Sequence, residues 1–268
     1  MPTFNSFDNQ NKNQSQVVYD FTDKQTKGAF LTKVFGMMFV CLLITTVIAA
    51  GFGYGFQALL YHTRVENSAG TLVFNETIVN ILLVVLVVSA ISLLIMSFVL
   101  PIMFIRGKHN IIVPLIIFVT LMGVLLSTFT FIFDWVILVE AFGITTLIFG
   151  VMGFLGYISK GRLAGIGVIL LGLIIGAGLL ALINWIMILA GGITEANVTL
   201  SWVVSLLVFA FLMLITLYDV NRIKKIAESG ATQSNNLVYY CAYILYSDFI
   251  ALLVRVIYFL AIITGRRR

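Results

Sequence analysis

Charge is scarce in this chain. Only 10% of the residues are Asp, Glu, Lys or Arg, and 61% are hydrophobic; a soluble domain carries roughly 25% charged residues. That balance excludes a water-soluble globular domain, and 268 residues leave room for one membrane domain and no second soluble one. Histidine is as scarce. His62 and His109 are the only two, and both flank apolar runs, so a three-histidine zinc site cannot be assembled within one chain. No lysine falls inside a run, which leaves a retinal-type Schiff base without an anchor. The two cysteines, Cys41 and Cys241, sit in apolar runs and suggest neither a disulfide framework nor a metal site. The net charge of +5 is spread over short loops without interleaved aromatics, where it orients helices; it does not describe a nucleic-acid surface. Gly-x-Ser-x-Gly, Walker and dinucleotide fingerprints are missing from any fitting context, so the sequence supports no enzyme and implies no cofactor.

What is present is apolar length. A helix needs ~20 apolar residues to cross the hydrocarbon core. Seven runs qualify: Val34–Gln57, Ile78–Ile105, Ile111–Phe133, Leu138–Ile158, Leu163–Leu189, Trp202–Tyr218 and Leu237–Ile263. They lack the apolar/polar alternation of a membrane barrel, so the expected class is an all-α integral membrane protein with seven transmembrane helices. Residues 1–29, rich in Asn, Gln, Asp and Lys, read as a disordered polar cytoplasmic tail, and residues 30–268 as a single membrane domain. The tail has no apolar core beside a cleavage site, so the first run is expected to act as an uncleaved signal anchor.

Lys and Arg give the orientation. Lys12, Lys24, Lys27 and Lys33 precede the first run; Arg106 and Lys108, Lys160 and Arg162, and Arg222, Lys224 and Lys225 fall in alternate loops. The loops between them hold Arg64 as their one basic residue, with Glu66, Glu76, Asp134 and Glu195. The amino terminus is therefore expected inside, with Trp135, Trp185 and Trp202 forming an aromatic belt on the outer side. Arg266, Arg267 and Arg268 run against this rule, because seven crossings put them outside. Cysteines introduced at Ser68 and Ser234, in a background without Cys41 and Cys241, are expected to react with an impermeant thiol reagent from opposite faces of a sealed membrane. Reaction of both from one face contradicts the topology.

Small residues mark candidate close approaches. Gly150, Gly153 and Gly156 recur every three residues in the fourth run, and Gly172 and Gly176 form a Gly-x-x-x-Gly in the fifth.

Ionisable groups in lipid are costly and usually face a cavity or a partner. Asp248 lies eleven residues past Leu237 with apolar stretches on both sides, ~16 Å into the run. Arg255 follows seven residues later on roughly the same helix face. Asp219 closes the sixth run and, taken alone, reads as a solvated helix end. Glu140 opens the fourth run, where an acid is favoured by the helix dipole.

At these same residues the chain resembles the transmembrane Bax inhibitor motif family. The resemblance rests on Glu140-Ala141-Phe142-Gly143 continuing to Gly153, on Gly156-Tyr157-Ile158-Ser159-Lys160, on Leu217-Tyr218-Asp219-Val220-Asn221-Arg222-Ile223-Lys224, and on Leu245-Tyr246-Ser247-Asp248-Phe249-Ile250. It covers residues 140–255 well, and residues 30–135 in span order only. The resemblance implies a seven-helix fold with the last helix central and six others wrapped around it. It also implies a pH-sensitive calcium leak. In that scheme Asp219 and Asp248 share a proton near the inner side and hold permeating calcium transiently, while Arg106 matches an arginine that pairs with them in one state. Two carboxylates in contact cannot both ionise cheaply, and the pair titrates as a unit. Some positions depart from the family. Ile95 stands near the place of a glutamate within the second helix, Ala251 where Asn is frequent, Tyr258 where Arg is frequent, and Arg162 where an acid is common. Arg255 and Glu140 are possible accessory residues of the ion route.

Two other functions use the same features. A proton-coupled transporter would employ the two acids as proton carriers. A non-conducting regulator of a membrane protease or of cell-death proteins would use the tail and the basic loops, and removing residues 1–29 would abolish its function but spare a leak. The implied partners are the bilayer, calcium and protons; no protein partner is specified. Short loops and an Asn- and Lys-containing tail fit a bacterial plasma membrane, with an organelle membrane as the other option.

Overall fold

A computed structural model describes residues 24–66, 72–107, 110–159, 164–191, 195–228 and 235–265. Residues 1–23 of the expected tail, Lys108, His109, Lys160, Arg162 and Arg266–Arg268 lie outside the described residues. The elements are α1 (Lys24–His62), a pair of two-residue strands β1 (Val65–Glu66) and β2 (Leu72–Val73), α2 (Glu76–Ile105), α3 (Ile112–Leu126), α4 (Thr128–Ile132), α5 (Trp135–Ile158), α6 (Ala164–Gly191), α7 (Glu195–Glu228) and α8 (Asn235–Gly265). Among the described residues seven helical spans are long and apolar enough to cross a membrane, with α3 and α4 forming one of them, interrupted at Ser127.

Several helices extend past their apolar runs, furthest at the start of α1 and the end of α7, and there for one reason. The segment Lys24–Lys33, polar enough to be assigned largely to the tail, is the opening of α1. Likewise α7 does not stop at Tyr218 but continues ten residues to Glu228. Hydropathy ends where polar side chains begin, but the backbone stays helical as long as one face remains buried. Val220, Ile223 and Ala227, spaced three and four apart, are all buried.

Successive helices run up and down the bundle. The end at which α2, α5 and α7 finish carries Arg106, Arg222, Lys224 and Lys225 and is called the basic end below. Helix α8 packs against α1, α2, α3, α5 and α7, whereas α6 packs chiefly on α7. The centre of α8 holds the fully buried Ala242, Leu245, Tyr246 and Leu252. Tyr246, fully buried, has no water for its hydroxyl, which meets Thr45 Oγ1 of α1 at 2.6 Å. Thr45 spends its own proton on the Cys41 carbonyl (2.9 Å), so Tyr246 is the donor. Phe118 of α3 meets the Tyr243 and Tyr246 rings edge-on. The outer faces are apolar instead of charged, as on α2 (Leu83, Val84, Leu94, Phe98) and α6 (Val168, Leu171, Ile175). A helical bundle can show such a surface because its backbone groups are satisfied internally and lipid covers its side chains.

Glycine separates contacts from coincidence. A methyl group on Gly156 would lie 2.5 Å from the Leu217 carbonyl oxygen, so Gly156 sets the α5–α7 approach, while one on Gly153 would make ordinary contact with Val220 at 3.8 Å. Gly150, Gly172 and Gly176 have nothing within 4 Å of that position. Among the described residues the Gly-x-x-x-Gly of α6 is therefore not a packing face.

Candidate functional site

The continuation of α7 decides where Asp219 sits. Nine further helical residues follow it, so it lies ~14 Å inside the basic end of α7 and is only 9% exposed. The solvated-end reading of Asp219 is thereby overturned. Asp248 lies thirteen residues, ~20 Å, into α8 from the same end. Helices α7 and α8 pack together, and the two carboxyl groups are within hydrogen-bond reach of each other. No inward dip of α8 is needed: Asp219 is deeper than its apolar run suggests.

The chemistry of that contact is constrained. Ionised carboxylates only accept hydrogen bonds, so a bond between two carboxyls requires a proton on one of them. Oδ2 of Asp248 is buried and accepts no hydrogen bond from an N–H or a hydroxyl group among the described residues. Burial from water, contact between like groups and the lack of such a donor all oppose a doubly charged pair.

The surroundings are built mainly by α7 itself. Arg222, one turn beyond Asp219, is the cation whose charge acts on Asp219, Tyr240 and Cys241. Asn221 turns the other way: its Nδ2 donates to the carbonyls of Gly156 and Ser159 at 3.0 Å each. Lys224 Nζ donates to the Tyr157 carbonyl at 2.7 Å and lies 3.9 Å from Glu228. These bonds satisfy carbonyls left open at the carboxyl end of α5 and tie that end to the turn of α7 carrying Asp219. Neither Asn221 nor Arg222 stands out in a hydropathy reading. The usable signal was their spacing from Asp219, two and three residues along a helix that had to continue.

The other expected residues are elsewhere. Arg106 follows the last turn of α2, where its N–H donates to the Ile102 carbonyl at 3.0 Å, and its side chain is exposed. It shares the basic end with the pair, since Phe104 stacks on Tyr240 of α8 with centroids 4.1 Å apart. Glu140 is exposed on α5, sixteen residues (~24 Å) from Gly156, and does not approach the pair. Arg255 faces α7 as Asp248 does, but a level further on: Nη1 donates to Ser205 Oγ at 3.5 Å, and Cζ lies 5.7 Å from the Tyr258 ring centre. Leu252, fully buried, stands between the two levels.

Two carboxyls supply at most four oxygens, and among the described residues no group of three His, Cys, Asp or Glu side chains gathers. Calcium takes six to eight oxygen ligands in a firm site. The pair can offer a passing cation partial coordination, not a cage.

The family model described as "Inhibitor of apoptosis-promoting Bax1" covers residues 27–266. No curated protein matches the chain.

Proposed function

The chain belongs to the Bax inhibitor family, and on that premise we propose that it is a pH-sensitive calcium leak channel gated by the Asp219–Asp248 pair. The observation that carries the reading is the contact of two carboxyls deep in a membrane bundle, with no N–H or hydroxyl group donating to Asp248 Oδ2 among the described residues. Such a pair has two stable arrangements. With one shared proton the carboxyls hold α7 to α8. With none they repel, and separate unless a cation enters between them. Weak and incomplete coordination suits conduction, because an ion that binds firmly does not leave. With the basic loops cytoplasmic, the pair lies toward the inner side of the membrane.

A planar bilayer with a calcium gradient and equal pH on both sides tests the reading. Steady calcium current under those conditions is expected of a leak. Current that appears only with a proton gradient contradicts it and identifies a coupled transporter.

Arg106 and Arg222 enter the gate differently. Arg106 can hold an ionised carboxylate in one state, as the family pattern implies. Arg222 acts on Asp219 in the arrangement described above. Arg106→Ala and Arg222→Gln are both expected to move the pH midpoint of calcium flux. A midpoint unchanged by Arg106→Ala removes Arg106 from the gate and leaves it as an orienting charge.

A further inference from the structure

Away from the acid pair, a cavity of about 340 Å³ opens between α6, α7 and α8. Asn184, Trp185, Ser201, Ser205, Arg255 and Tyr258 are among its lining residues. Three features of it are incomplete as protein chemistry. Arg255 is a cation on a membrane-spanning helix, and among the described residues no carboxylate is within salt-bridge reach of it. Among the described residues its one hydrogen bond is the long contact to Ser205 at 3.5 Å. Asn184 gives its Nδ2 to Ser201 Oγ at 2.8 Å, while its Oδ1 is buried without a partner. The cavity thus presents an unneutralised guanidinium together with an acceptor that lacks a donor.

We infer that this cavity binds the headgroup of an anionic phospholipid. A phosphate oxygen would supply the missing negative charge for Arg255, and a headgroup hydroxyl or amine the missing donor for Asn184 Oδ1. The level is right for a headgroup. Asn184 lies five residues, ~8 Å, from the end of its span at Leu189, and Ser205, which the Arg255 guanidinium meets, lies six residues, ~9 Å, from the end of its span at Thr199. The long Arg255 side chain carries its charge from eight residues, ~12 Å, before Ile263 toward that surface. Trp185, 60% exposed, stands beside it as interfacial tryptophans do. The same stretches of α6 and α7 face lipid, since Leu182, Ile186, Val203 and Leu206, next in sequence to lining residues, are exposed and apolar. An occupant therefore arrives from the bilayer, and a dissolved anion would have to cross an apolar rim. This site is separate from the Asp219–Asp248 pair and does not depend on the leak reading.

Fluorescence quenching tests the assignment. The full chain, with Trp135 and Trp202 replaced by Phe so that Trp185 is the sole reporter, is placed in phosphatidylcholine vesicles containing either brominated phosphatidylglycerol or brominated phosphatidylcholine. A preference of roughly ten-fold for the anionic lipid is expected, the scale of one charge-assisted hydrogen bond. Arg255→Lys should keep most of that preference and Arg255→Gln should lose it. Asn184→Asp, which keeps Arg255 but adds a negative charge to the cavity, should lose it as well, so the test survives misfolding of any one variant. Equal quenching by both lipids in the parent chain overturns the proposal. So does an unchanged preference in folded Arg255→Gln or Asn184→Asp. Loss of the preference on adding millimolar inorganic phosphate also overturns it, in favour of a free-phosphate site.

Discussion

Replacing either Asp219 or Asp248 with asparagine removes most of the pH response of calcium flux, and replacing both adds little. Asparagine keeps the size and the hydrogen-bonding ability of each side chain. What it removes is the conflict between two acids in contact. A single substitution leaves one buried carboxyl beside a neutral amide, and that carboxyl has no like charge to avoid. If the two groups act as one unit, their effects on the pH response do not add, and the double variant resembles either single one. Flux into liposomes, followed against pH for the three variants, reads this directly. An intact pH response in Asp219→Asn, with loss in Asp248→Asn, would break the shared-proton account and leave Asp248 acting alone. The burial of Asp219 makes that outcome the less expected one. At 9% exposed and facing α8, it is no longer the solvated helix end that its sequence neighbourhood suggests.

The second large effect is on stability. Gly156→Ala is expected to cost about 2 kcal/mol, the scale of overpacking a tight contact, and to lower the thermal unfolding midpoint in detergent. The added methyl meets the Leu217 carbonyl oxygen at 2.5 Å, and a backbone atom cannot rotate away as a side chain can. Helices α5 and α7 must move apart. Doing so also strains the Asn221 and Lys224 hydrogen bonds to the end of α5 and shifts the turn that carries Asp219. The pH midpoint of flux should therefore move in the same variant. Gly172→Ala and Gly176→Ala are the controls. Nothing lies within 4 Å of either added methyl, so neither should destabilise the chain, and alanine's better helix propensity favours a small gain. Equal destabilisation at Gly156 and Gly172 would mean that the α5–α7 contact does not limit stability.

The seven crossings were legible because lipid demands long uninterrupted apolar runs, and little else in a sequence looks like one. Asp248 was legible for the complementary reason: a carboxyl with apolar residues on both sides stands out against them. Asp219 was legible only through its resemblance to the family pattern. Its run of apolar residues stops at Tyr218, while the helix continues to Glu228 on the buried stripe of Val220, Ile223 and Ala227. Hydropathy averages over all faces of a helix and so misses a segment buried on one. The same averaging hid Arg222, whose relation to Asp219 is a matter of helix face, and the two hydrogen bonds of Asn221. The glycines make the converse point. Spacing in α5 and in α6 looked equally suited to close packing, yet only Gly153 and Gly156 have a helix against them. A sequence states which surfaces could meet, and the arrangement of the helices decides which of them do.

The most direct measurement is calcium uptake by liposomes containing the purified protein, with a fixed calcium gradient and a series of pH values applied equally inside and out. The account predicts uptake above that of protein-free liposomes, changing with pH along a single transition that belongs to the carboxyl pair. Uptake no greater than in protein-free liposomes at every pH, or uptake that does not vary with pH, would contradict it.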